Sequence, residues 1–149
     1  MVIANDILIP EIARLIAEGK EVRFTPSGVS MRPFIEGGKD SVILASLARL
    51  SRRGDIVLAK AQNSLGQTTY VLHRILRIEN DNTIVLQGDG NLTGEEKCRR
   101  EDIIGQVIRI ERPNGSKKCL SRGLLWQALL PLRKWLLKIY RHTWLKWCY

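Results

Sequence analysis

Two periodicities divide the chain. Residues 7–18 carry apolar side chains at helical spacing, and Ile7, Ile12, Leu15 and Ile16 can share one face. Asn5 or Asp6 can cap this helix and Gly19 can end it. From Glu21 onward the pattern shortens. Residues 22–25, 41–47, 55–60, 70–78, 83–87 and 103–111 form apolar or alternating runs that read as strands. Gly-Gly, Arg-Gly-Asp, Asn-Asp-Asn and Gly-Asp-Gly-Asn sequences separate them as turns. Residues 79–82, between two such runs, predict a hairpin. No alternation of strand and helix appears, so the body is expected to be mainly β, a curled antiparallel domain.

Residues 113–118 (PNGSKK) read as a turn or linker, and the composition changes after them. The expected organisation is an N-terminal packing helix over residues 1–20, a β-rich domain over 21–112, and a linker with a basic, Trp-rich amphipathic helix over 113–149. On a helical wheel of residues 122–147, Gln127, Lys134, Lys138, Arg141, His142 and Lys146 fall on one arc. Leu125, Leu129, Leu132, Leu136, Ile139 and Tyr140 fall on the other, with Arg133 an outlier beside a break at Pro131. All four tryptophans, Trp126, Trp135, Trp144 and Trp147, lie in this region. Such a helix can lie in a membrane interface, or pack on the body or on a second copy of the chain.

Charge sharpens this division. The net charge is +9, but residues 1–111 hold 15 Lys+Arg against 15 Asp+Glu. Residues 112–149 hold the remaining 9 basic residues and no acid. The basic character belongs to the C-terminal end, where it suits an anionic surface. Because the aromatic residues group with the leucines, nucleic acid is not the expected partner. The length of 149 residues suits a single core. The N-terminal segment, with Asp6, Glu11 and Glu18, does not read as a signal peptide, and no run reaches the length of a bilayer span. Three cysteines (Cys98, Cys119, Cys148) without close spacing argue against a disulfide framework and for a reducing compartment. Two histidines and no C-x-x-C pair argue against zinc. The expected location is cytoplasmic, with the basic helix as a route to the inner membrane face.

Candidate chemistry begins at Pro26-Ser27-Gly28-Val29-Ser30-Met31-Arg32-Pro33. A serine becomes nucleophilic when a base can take its proton and its backbone is held. Gly28 permits close approach to a substrate, Pro33 restricts the chain, and backbone N–H groups near Ser30 can hold an oxyanion. Alone, the string also describes a turn with a capping serine. His73, in a strand, is the one histidine of the expected β domain, and imidazole suits proton abstraction near neutrality. Arg74 should face the other side of the sheet in a structural role. Asp55 reads as a turn acid. Asp89, between two glycines, can orient His73 or simply serve an Asp-Gly turn. Lys60 is a reserve base.

The order of these segments resembles the signal peptidase I superfamily, which includes self-cleaving phage and SOS-response repressor domains. The resemblance runs through Gly-x-Ser-Met-x-Pro, Gly-Asp-Ile-Val, His-Arg-Ile, Gly-Asp-Gly-Asn and Asp102-Ile103-Ile104-Gly105-Gln106-Val107, over roughly residues 22–111. It implies a signal-peptidase-like β fold and a serine endopeptidase needing no metal or organic cofactor. Ser30 inherits the nucleophile, His73 the base as in the archaeal and endoplasmic-reticulum branch, and Asp89 the supporting acid, with Asp102 a second supporting acid. Gly28 stands where some members have an oxyanion-hole serine, so the hole would rest on backbone N–H groups, mainly that of Ser30. Gly28, Val29, Met31 and Pro33 would border the substrate groove. The implied substrates are short extended segments of precursor proteins or peptides; a peptide-binding module without turnover is the alternative.

Overall fold

A computed structural model describes residues 5–118 and 128–147. Over these residues the chain is mainly β, with eight antiparallel strands curled into a small barrel and a helix before and after them in sequence. Helix α1 spans Asn5–Ala17. The strands are β1 Val22–Phe24, β2 Ser41–Ala45, β3 Ile56–Gln62, β4 Thr68–Ile78, β5 Ile84–Gln87, β6 Glu96–Cys98, β7 Ile103–Glu111 and β8 Lys117–Lys118. Their spatial order is β1-β2-β7-β3-β4-β5-β6, with β8 on β7. The pairing Gln62↔Lys97 brings β6 back to β3 and closes the curl. Helix α2 spans Leu130–Trp147.

The closure explains why some strands alternate poorly. On β3, Ile56 and Leu58 join one apolar cluster with Ile9, Ile12 and Ile16 of α1, whereas Val57, Ala59 and Ala61 join a second with Ile75, Ile84 and Leu86. Both faces of β3 are covered, so its apolar run is nearly continuous, as expected for a strand with no solvated side. In α1 the buried positions are Ile9, Ile12 and Ile16, spaced i, i+3, i+7. Ile7, expected on this face, is 70% exposed instead, because it lies about 200° around the helix from Ile9. The helix ends as expected at Gly19, where the Gly19 and Lys20 N–H groups donate to the Ile16 and Leu15 carbonyls.

The hairpin over 79–82 forms, with the Glu79 N–H donating to the Thr83 carbonyl. Asp55 is a turn acid: its carboxylate accepts from the Arg52 N–H and from Arg49. Strands β6 and β8 have no apolar alternation and are not legible as strands. Asn5 and Asp6, the expected caps, lie inside α1, but their side chains, residues 122–127 of the predicted helix, and the side chains of Arg141, Trp144, Lys146 and Trp147 lie outside what the structure describes. Among the described residues, no helix is long and apolar enough to cross a membrane.

Ile12 is 2% exposed at the centre of the helix–barrel cluster. Replacing it with alanine is expected to cost about 2–5 kcal/mol of unfolding free energy, measured by urea titration, because the rigid sheet beneath can only partly fill the cavity.

Candidate active site

Ser30 sits in a tight turn rather than a strand. The Arg32 N–H donates to the Val29 carbonyl, and the Phe34 and Ile35 N–H groups both donate to the Met31 carbonyl. Met31 drops into the α1-side core at 4% exposure, anchoring the turn from below. Two glycines allow the packing above. A Cβ on Gly37 would lie 1.9 Å from the Gly28 carbonyl oxygen, so this close backbone approach admits no side chain. Gly28 itself has φ +89°, a conformation that favours glycine. The Ser30 N–H donates to no acceptor among the described residues.

His73 lies on β4, 5% exposed, with its Nε2 3.0 Å from Ser30 Oγ. Its Nδ1 is 2.9 Å from Glu96 Oε2. An ionised carboxylate only accepts, so the His73 Nδ1–H donates to Glu96, and Nε2 is left with its lone pair toward the serine hydroxyl. The result is a continuous Ser30–His73–Glu96 relay with the middle member buried.

Glu96 therefore occupies the position expected for Asp89. Strand register explains the exchange. Ile75 pairs with Leu86, and Leu86 pairs with Glu96. Paired residues point to the same side, and His73, two residues from Ile75, shares that side. Arg74 pairs with Gln87, and Asp89, two residues beyond, faces with them. Asp89 accordingly binds Arg74, with contacts of 2.8 and 2.9 Å and both side chains at 0% exposure. Arg74 also donates to the Gly54 carbonyl at 2.8 Å and stacks 5.3 Å from the Phe34 ring centre, in the structural role expected for it. Burial pushes the Asp89 carboxyl above the usual carboxylate range, with Arg74 opposing.

The other expected residues separate as follows. Ser30, Gly28 and Met31 line a cleft of about 190 Å³ together with Pro26, Ser27, Tyr70, Leu72 and His73. Val29 and Pro33 do not border it: Val29 is 52% exposed and Pro33 half-buried outside the lining. Asp102 does not reach His73; its carboxylate accepts from the Arg99 N–H and closes a short 3-10 turn over Arg100–Asp102. Lys60 is exposed and lines a separate cleft with Asp102 and Cys98, so it is no base for Ser30. Burial, reinforced by Asp102 and Glu101, pushes the Cys98 thiol up to about 11, far from a reactive thiolate.

Sequence reasoning missed four contributors. Glu96 stands in a short polar stretch with no strand signal. Gly88 and Gly90 are backbone contacts: a Cβ on Gly88 would lie 2.3 Å from the Ser30 carbonyl oxygen and 3.1 Å from His73 Nε2, and the Gly90 N–H donates to the Ser30 carbonyl at 2.8 Å. Arg133 of α2 is 1% exposed, and its Nη2 donates to the Asp89 carbonyl at 2.7 Å. Its odd place on the helical wheel was the available signal.

No family model, curated protein or solved structure matches this chain.

The two acids are expected to behave differently. Asp89→Asn should destabilise the fold by about 3–5 kcal/mol in urea titration, because it leaves the Arg74 charge buried and unpaired. Glu96→Gln, whose side chain is partly exposed and leaves no fixed charge unpaired, should cost less than half as much. Equal losses would overturn the division of roles.

Proposed function

We propose that this protein is a serine endopeptidase in which Ser30 attacks, His73 carries the proton and Glu96 orients His73. The observation that carries the reading is the unbroken hydrogen-bond chain from hydroxyl to imidazole to carboxylate at the edge of a cleft. Ser30 Oγ adds to a peptide carbonyl as its proton passes to His73 Nε2. The oxyanion meets the Ser30 N–H. His73 then gives the proton to the departing amine, and water repeats the cycle on the acyl-enzyme in reverse order. Glu96 keeps the imidazole in the productive tautomer and offsets its positive charge. The resemblance to the signal peptidase I superfamily supports the same reading, with Glu96 in place of the expected aspartate.

The substrate class follows from β4. Its first half pairs with β3 through residues 68–74, whereas β5 joins it only from Arg74 onward. The second edge of residues 70–72 faces the cleft, opposite Pro26–Ser30. An extended peptide fits this edge as an added strand, its carbonyl carried toward Ser30.

Helix α2 adds a surface. Leu132, Trp135 and Ile139 form an outward stripe at 52%, 63% and 41% exposure, beside exposed Lys134 and Lys138. With 9 basic residues and no acid over 112–149, this stripe is complementary to an anionic lipid surface. We place the peptidase there as a peripheral protein.

A fluorophosphonate probe tests the chemistry. Covalent labelling is expected in the parent chain and absent in Ser30→Ala, with His73→Ala slowed by about 10²–10⁴-fold. Tight peptide binding without Ser30-dependent labelling would replace the enzyme by a binding module. For the surface, cosedimentation with phosphatidylglycerol vesicles is expected, weakened by 0.5 M salt on the order of the Debye screening of surface charge and by Trp135→Ala. Binding to neutral phosphatidylcholine vesicles that matches the anionic ones would remove the electrostatic argument.

A further inference from the structure

A second buried cation near the cleft, besides Arg74, takes no part in the Ser30–His73–Glu96 hydrogen-bond chain. Arg133 is carried into the body by α2, next to Leu137, which is 4% exposed on the same helix face. Its Nη2 donates to the carbonyls of Asp89 at 2.7 Å, Asn91 at 3.2 Å and Gly88 at 3.5 Å, and its Nη1 donates to Gln87 Oε1 at 3.3 Å. These acceptors lie at the end of β5 and in the short segment that follows it toward β6. On the other side of that segment, the Gly90 N–H holds the Ser30 carbonyl at 2.8 Å, and Gly88 leaves no room for a Cβ against Ser30 and His73. The peptide groups are thus sorted by direction, with carbonyls toward the guanidinium and an amide toward the serine turn.

A carbonyl cluster converging without a donor would be costly away from water. A guanidinium, with five donors in a fixed fork, satisfies several at once, which an ammonium on a flexible stem does less well. The Asp89 carboxylate, already held by Arg74, keeps the segment fastened from below. A second contact joins α2 to the serine turn: Tyr140 lies close to Glu36, which pairs with Arg32.

We propose that Arg133 is a positioning residue for the Ser30–His73 pair, acting through the 88–91 segment, so that the seated C-terminal helix is a working part of the active site. The proposal rests on the serine peptidase reading, and its test separates the two. Fluorophosphonate labelling of the full chain is measured first. Absence of Ser30-dependent labelling overturns both. Given labelling, Arg133→Met is expected to slow it by about tenfold or more, the effect of losing charge-assisted hydrogen bonds from a buried segment. Leu137→Ala, which loosens the same helix face without removing the cation, is expected to lower the melting temperature but keep the rate within about twofold well below it. Added guanidinium is expected to restore Arg133→Ala and not to change Leu137→Ala. A parent-like rate in folded Arg133→Met, equal slowing in Leu137→Ala, or no guanidinium rescue of folded Arg133→Ala would each overturn the proposal. Should neither truncated variant fold, Arg133→Lys decides: slowed labelling supports the fork geometry, and a parent-like rate overturns it.

Discussion

Between β5 and β6 the backbone passes so close to the serine turn that only glycine fits at residue 88, and the amide of residue 90 closes the contact on the Ser30 carbonyl. This contact decides where Ser30 stands. The turn has no strand ladder of its own, so its position derives from Met31 below it, Gly37 packed on Gly28, and the 88–90 segment beside it. A nucleophile on such a turn can be exposed to substrate yet held rigidly enough for a 3.0 Å approach to the imidazole. The segment is itself fastened by charges on its underside, where Arg74, Asp89 and Arg133 meet with at most 1% exposure each. A buried cluster of this kind costs desolvation energy and persists only when its geometry satisfies the groups. Here the guanidinium of Arg74 meets both carboxylate oxygens of Asp89, and Arg133 meets the backbone.

Two neighbouring residues on β4 thereby serve two separate networks. His73 turns toward Glu96 and the cleft, whereas Arg74 turns toward Asp89 and the fold. Alternation along the strand enforces this separation, since a single residue of register shift would exchange the two faces. Charge alone does not predict which carboxylate meets the imidazole. Asp89 and Glu96 are both near in sequence, and only the pairing of β5 with β4 and β6 assigns them.

The C-terminal helix extends the same economy of faces. Arg133, Leu137 and Tyr140, at i, i+4 and i+7, meet the body, while Leu132, Trp135 and Ile139 form a neighbouring outward stripe. The apolar arc seen on the helical wheel is therefore largely open at Leu129, Leu132 and Ile139, and the docked face centred on Arg133 and Leu137 lies beside it. The docked one touches both parts of the candidate site, the 88–91 segment and the stretch after Ser30. Arg133 stood out from the basic arc because it belongs to the docked face.

By itself the sequence was enough, among the described residues, for both helices, six of the eight strands, the Gly19 stop, the hairpin over 79–82, the role of Asp55, and the pairing of Ser30 with His73 as a hypothesis. Each of these rests on local information: periodicity, turn chemistry, or the scarcity of histidine. Glu96, the Gly88 and Gly90 contacts and the Arg133 clamp were decided only by tertiary structure. Glu96 lies on a three-residue strand too short and polar to show a period. Register between strands depends on barrel closure, and backbone-to-backbone approach leaves no trace in side-chain patterning beyond the glycines themselves. The partner of a buried cation is likewise set by where its helix docks, a long-range choice that no window of neighbouring residues contains.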